Sequence, residues 1–301
     1  MSWRKLGLVY APDGRKPWMR AYAANPVAEP LGGNLFRVYF SSRDEHNRSS
    51  IGYVDLDITD PTTILREADE PVLGPGATSM FDDCGASIGC IVPVGEKRYL
   101  YYMGWHVTAV VPWQNAIGLA ISDGPGRPFC RVSNSPVVDL SQTDPYSLSY
   151  PWVHHDDGRF RMWYGSNTAW GPEKKDMRHL IKYAESADGI RWKRENIVAI
   201  NFDGPDEYAI CRPCLVEDSA GFRMWFCARG TSYRIWEAAS RDGIVWERHR
   251  DAPAVDVSTV GWDAEMTEYP CVFDHQGIRY MLYAGNGFGR TGFGLAVWEP
   301  S

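Results

Sequence analysis

Four acids stand just ahead of short apolar segments that recur along the chain. Asp83 lies five residues before Ile88, Glu207 six before Pro213, and Glu265 with Glu268 five and two before Pro270. Carboxylates gathered from separate segments can share proton-transfer work, one protonating a leaving group while another attacks or activates water. A second set follows a different recurring phrase: Arg43, with Asp44 after it, Asn167 and Arg229 each stand six residues past its lead arginine. Arg212, Tyr150 and Tyr269 sit directly before Pro213, Pro151 and Pro270. Guanidinium groups among carboxylates hold anionic groups or hydroxyls and keep neighbouring acids ionised, whereas an acid in an apolar pocket is pushed toward its protonated form. Trp105 and Trp113 fall in a long interstrand segment where an aromatic face can meet a sugar ring or another flat apolar surface. We take Asp83, Glu207, Glu265 and Glu268 as candidate acid/base residues, and Arg43, Asp44, Tyr150, Asn167, Arg212, Arg229, Trp105 and Trp113 as candidate binding residues.

The elements that would bring them together are repeats. One strand-like phrase occurs at FRVYFSS, RYLYYMG, FRMWYGS, FRMWFCA and RYMLYAG, with its arginine at 37, 98, 161, 223 and 279. A period near sixty residues suits four-stranded propeller blades with long loops. Ahead of four phrases lies a proline-led apolar segment at Pro26, Pro151, Pro213 or Pro270, the position proline tolerates at a strand start. After each comes a third strand, such as SIGYVDLD or LIKYAES. Ser186–Trp192 and Ser240–Trp246 then carry Asp-Gly turns into a fourth. The last unit lacks its fourth strand, and Trp3-Arg4-Lys5 resembles Trp192-Lys193-Arg194. The expectation is all-β: one five-bladed β-propeller over residues 1–301, its last blade closed by the N-terminal strand. Two stacked sandwiches are the alternative. In a blade, residues before the first strand and after the second meet at one mouth, which is where the candidates above would converge.

Composition narrows the partners. A net charge of −7 offers no basic footprint for nucleic acid. No apolar run is long enough to span a bilayer, and the start lacks a signal-peptide core. Seven scattered cysteines read as reduced, buried thiols, which places the protein in the cytoplasm. Cys211-Arg-Pro-Cys214 has redox spacing but falls at a strand start. His154-His155 leads into a polar turn, and Gly285–Gly289 joins two strands without opening a helix. No metal or cofactor is expected, and the oligomeric state is left open.

The phrases FRVYFSSRDEHNRSSIGYVDLD, NAIGLAISD, LIKYAESADGIRW, EYAICRP and YMLYAGNGFGRTGFGLA resemble the glycosidase-like five-bladed propeller family, distantly related to arabinanases, β-xylosidases, invertases and mannoside phosphorylases. The resemblance spans nearly the whole chain. It implies a saccharide or similarly polar small-molecule substrate and three funnel acids acting as base or nucleophile, orienting group and general acid. Asp83, Glu207 and Glu265 or Glu268 would take those roles. The first unit departs from the pattern, reading Arg20-Ala21-Tyr22-Ala23-Ala24-Asn25-Pro26 where the hydrolases usually place an acid. The implied function is therefore a hydrolase- or phosphorylase-type glycoside-processing enzyme. The alternatives are a biosynthetic propeller enzyme performing elimination, isomerisation or cyclisation, and a non-catalytic sugar-binding propeller.

Overall fold

The computed structural model describes residues 2–299. Strand β1 (Ser2–Tyr10) opens the chain. Three four-stranded antiparallel meanders follow it: β2 (Ala21–Gly32), β3 (Leu35–Arg43), β4 (Ser49–Asp57) and β5 (Asp60–Glu67); β6 (Gly85–Val94), β7 (Lys97–His106), β8 (Gln114–Ser122) and β9 (Cys130–Arg131); β10 (Leu148–Asp156), β11 (Arg159–Ala169), β12 (Arg178–Ser186) and β13 (Lys193–Ile200). A further meander comprises β14 (Ala209–Asp218), β15 (Gly221–Arg229), β16 (Tyr233–Ser240) and β17 (Glu247–His249), and β18 (Glu268–His275), β19 (Ile278–Ala284) and β20 (Phe293–Glu299) end the described chain. The N-terminal strand completes this last group, since β1 pairs antiparallel with β20 from Ser2–Glu299 to Tyr10–Phe293. Single parallel bridges, Ser49–Gly85 and His179–Ala209, join neighbouring meanders. No helix among the described residues is long and apolar enough to cross a membrane.

The first strands are mutual neighbours: β2 lies against β6, β6 against β10, β10 against β14, β14 against β18 and β18 against β2. The core sits between adjacent meanders. Tyr39 and Ile51, for example, pack with Ile88, Leu100 and Tyr102, and Cys214 and Trp225 with Val272, Met281 and Tyr283. The Asp-Gly turns form as their residues dictate, with Ser186 and Ser240 hydroxyls accepting the Gly189 and Gly243 N–H groups at 2.9 Å. Each turn is clasped by an aromatic of the preceding meander, as Tyr101 Oη donates to Gly189 O and Trp163 Nε1 to Gly243 O, both at 2.8 Å.

A buried acid locks three of the meanders in the same way. Asp82, Asp144 and Asp263 accept from the hydroxyls of Tyr102, Tyr164 and Tyr283, each twenty residues further on, at 3.0 to 3.1 Å. Each acid also pairs with a base: Arg131 at 2.8 Å, Arg194 at 2.9 Å and Lys5 at 2.7 Å. Burial raises the Asp144 carboxyl, but the Ser166 hydroxyl, Lys182 and Arg194 outweigh it and leave the group below the ordinary carboxylate range.

Four first strands break their pairing at a two-residue bulge made by the pre-proline residue and its proline. Asn25, Tyr150, Arg212 and Tyr269 have φ of 55°, 43°, 55° and 57° there. Left-handed backbone is unusual for non-glycine residues and doubly so before proline, which favours extended conformations. The bulge takes these side chains out of the pleat alternation, and three of them, Asn25, Tyr150 and Tyr269, line an axial cavity. In β6 the place of the proline is taken by Gly89, one residue past the Ile88 that the repeat spacing pointed to, and an added Cβ there would lie 2.6 Å from Pro151 O.

Candidate functional site

The axial cavity holds ≈ 30 Å³, room for a water or two, and is walled by Tyr22, Asn25, Arg43, Ser49, Tyr150, Tyr269 and Phe288 among others. The Tyr150 and Tyr269 hydroxyls meet at 3.2 Å. Arg43 comes from the end of β3, its guanidinium 5.4 Å from both the Tyr22 and Trp105 rings and its Nη1 donating to Asn47 Oδ1 at 2.7 Å. Trp105 Nε1 donates to Ser49 Oγ at 2.7 Å, which brings the indole to the cavity rim.

Glu268 heads β18 one layer behind this wall. It is fully buried, and neither carboxyl oxygen has a hydrogen-bond partner. Burial pushes its pKa well above the ordinary range and nearby Cys211 adds to the rise. Arg229 opposes it, as does the Phe288 backbone amide, which faces the carboxyl without closing a hydrogen bond of standard geometry. The shift favours the protonated form, which can donate a proton. Arg229 ends β15 among the rings of Tyr208, Tyr233 and Phe288, 5.4 to 5.9 Å away. His179 is buried beside them, with Nδ1 2.9 Å from Ile210 O and Nε2 3.5 Å from Tyr233 Oη. Burial first, and Arg229 second, bring its pKa down to about 4, so the ring is neutral and Nδ1 donates to the carbonyl. Gly287 and Phe288 are both left-handed, at φ of 65° and 64°, in the short turn α1 (Asn286–Gly289) that carries the Phe288 ring over this cluster.

The remaining sequence candidates lie elsewhere or face other partners. Glu207 is bidentate with Arg248 at 2.7 and 2.8 Å and also accepts the Asp203 N–H, so it stands with the buried clamps of the other meanders. Asp83 accepts the Ser79 N–H at 3.0 Å and closes the turn before β6. Glu265 is exposed, and its backbone N–H binds Asn286 Oδ1. Asp44 closes its own turn with the His46 and Arg48 backbone and the Arg48 side chain. Asn167 is buried at the end of β11, its N–H bonded to Ser147 O. Trp113 packs on Trp170 at 5.1 Å. Arg212 is fully buried, its guanidinium 5.9 Å from the Trp152 ring. The expected convergence of the acids at one mouth thus gives way to one buried acid, Glu268, near the cavity, because the segments ahead of the first strands are turns with their own hydrogen bonds to satisfy.

Sequence reasoning passed over Tyr22, Asn25, His179, Tyr233 and Phe288. Asn25 carried a signal, since it precedes Pro26 as Tyr150 precedes Pro151. Phe288 lay in a segment read as a plain strand connection. A larger cleft of ≈ 590 Å³ opens along β15–β17, lined by residues such as Phe222, Arg241 and Trp246, and none of the sequence candidates borders it. His154, Asp156 and Glu217 bring ligand atoms within 4.8 Å of one another and are the group, among the described residues, that could hold a metal ion. Burial first, and Arg161 after it, lower the His154 pKa, and the Arg161 charge disfavours a cation there.

No family model matches the sequence. Two curated proteins of Mycobacterium tuberculosis, the uncharacterized protein MT1551 of strain CDC 1551 and the uncharacterized protein Rv1502 of strain H37Rv, are each 54% identical over 299 residues, covering 99% of this chain and all of theirs. Among solved structures, one described as a glycoside hydrolase superposes with a TM-score of 0.76 at 17% identity, covering 99% of this chain and 92% of its own. A structure described under the mannoside phosphorylase family GH130, said to contain hydrolases of β-1,2 mannosidic linkages, gives 0.71 at 14% identity, covering 99% and 94%. A thermostable family-43 glycoside hydrolase gives 0.70 at 14% identity, covering 95% and 96%. The chain belongs to the family of these mycobacterial proteins, and its all-β fold is that of the glycosidase-like propellers.

Proposed function

We propose that this protein is a glycoside-processing enzyme built as one five-bladed β-propeller, the five meanders being its blades and β1 closing the last. The circular neighbourhood of the first strands supports this architecture, as does the likeness to glycosidase-like folds. The observation that carries the reading is Glu268, a buried, unpartnered acid behind the axial cavity, whose burial favours its protonated form. In this reading Glu268 protonates a leaving oxygen. Arg229 and Arg43 hold substrate hydroxyls or an anionic group, and Tyr150 with Tyr269 forms the floor. Because the cavity admits little more than a water, Phe288 and its turn swing aside for a sugar to enter. Seven free thiols suit a reducing cytoplasm.

A second reading has its own support. The charged or acidic neighbours acting on Glu268 are Cys211 and Arg229. Glycoside hydrolysis by a carboxylate pair needs a second acid about 5 to 10 Å away. A lone acid suits elimination or isomerisation in a biosynthetic pathway. The test is turnover of aryl glycosides, with and without phosphate, and of host metabolite extracts, by wild type and Glu268→Gln. Glycoside cleavage lost in the variant supports the first reading. Consumption of a host metabolite without glycoside cleavage moves the assignment to the second. Unchanged turnover in Glu268→Gln removes Glu268 from both.

A further inference from the structure

Arg212 is the one bulge residue of the four that lines no part of the axial cavity. Its side chain is fully buried, and no acceptor among the described residues reaches Nε, Nη1 or Nη2. Trp152 lies 5.9 Å from the guanidinium, and the buried thiols Cys90, Cys214 and Cys271 feel its charge. Arginine does not surrender its proton in proteins, and an isolated buried cation is among the costliest groups to desolvate. The surroundings deepen the imbalance. Cys90 Sγ already accepts the Val153 N–H at 3.2 Å, Cys271 Sγ the Ala28 N–H at 3.5 Å and Cys214 Sγ the Val272 N–H at 3.0 Å. Each sulfur thus already serves a backbone amide, and none of them closes a hydrogen bond with the guanidinium.

We infer that the buried space around the Arg212 guanidinium, bordered by Trp152, Cys90 and Cys271, is a binding site for a small monovalent anion of the halide class, held by Arg212. A halide accepts several donors in any direction and suits a wall of thiols and an indole, where an oxyanion would require matched geometry. Such an ion neutralises the buried guanidinium and ties β14 to β6, β10 and β18, whose residues surround it. The site is structural and stands independently of the reaction at the cavity.

Two measurements test it. Crystals of the wild-type protein grown in bromide, with diffraction collected at the bromine absorption edge, should show an anomalous peak in contact with the Arg212 guanidinium. Replacing gluconate by chloride or bromide at constant ionic strength should raise the wild-type Tm. The expected rise is about 4 °C at a hundredfold excess over the dissociation constant, and Arg212→Met should abolish it. Bromide peaks only on the surface, with no halide-specific change in Tm, would overturn the inference. That result would leave ordered water or a Cys271 thiolate as the partner of Arg212. The crystal experiment needs no variant, so it decides the matter even if Arg212→Met fails to fold.

Discussion

Replacing Glu268 by glutamine should make the protein more stable at neutral pH while removing its activity. Neither carboxyl oxygen has a partner, and the group keeps its proton in the native state well above the range where the unfolded chain releases it. Over that interval the native state binds one more proton than the unfolded state, so unfolding free energy falls as pH rises. The slope is about 1.4 kcal/mol per pH unit from this group alone. For a chain of this length that is roughly 2 °C in Tm per pH unit. Glutamine is similar in shape and carries no titratable proton, so the variant lacks this slope. The assay is urea or thermal unfolding of both proteins at pH 4, 5, 6, 7 and 8. The two curves should meet near pH 4 and diverge above it with the variant the more stable. Parallel curves would refute the assignment of Glu268 as a buried neutral acid, and with it the proton-donor role.

Other perturbations separate the clamps from the site. Glu207→Gln breaks a part-buried bidentate pair with Arg248 and should cost about 1 to 3 kcal/mol, read as a lower urea midpoint, while turnover per folded molecule is retained. Asp144→Asn leaves Lys182 and Arg194 without their carboxylate. Since the native carboxyl titrates below its unfolded value, its contribution is present at neutral pH and lost as pH falls through the native pKa. The variant should therefore be less stable at pH 7, and its denaturation curves should converge with wild type as pH falls below the ordinary carboxylate range. Gly89→Ala drives a methyl into Pro151 O and should destabilise by about 1 to 3 kcal/mol, measured by thermal unfolding.

The repeat, the order of strands and the pairing of the two chain ends were legible in the sequence, because each rests on local rules. Alternating apolar residues, Asp-Gly turns and an orphan Trp3 strand specify where strands begin and end, and β1 pairs with β20 accordingly. The pre-proline residues were legible too, since proline marks the first strand of four meanders.

Side-chain roles were not. Glu207 lies two residues before β14 and Glu268 opens β18, yet Glu207 meets Arg248 and Glu268 meets neither an ion-pair partner nor solvent. That difference comes from β17, which supplies Arg248 to one acid, and from the Phe288 turn, which seals the other. Both neighbours lie in other strands or loops, so no spacing rule within the repeat records them. Long-range packing also sets dielectric surroundings, and with them whether a carboxyl is a charged clamp or a neutral acid. Composition and periodicity thus determine the strands of this protein, while the seclusion of Glu268, the isolation of Arg212 and the small size of the cavity were decided by how the meanders close against one another.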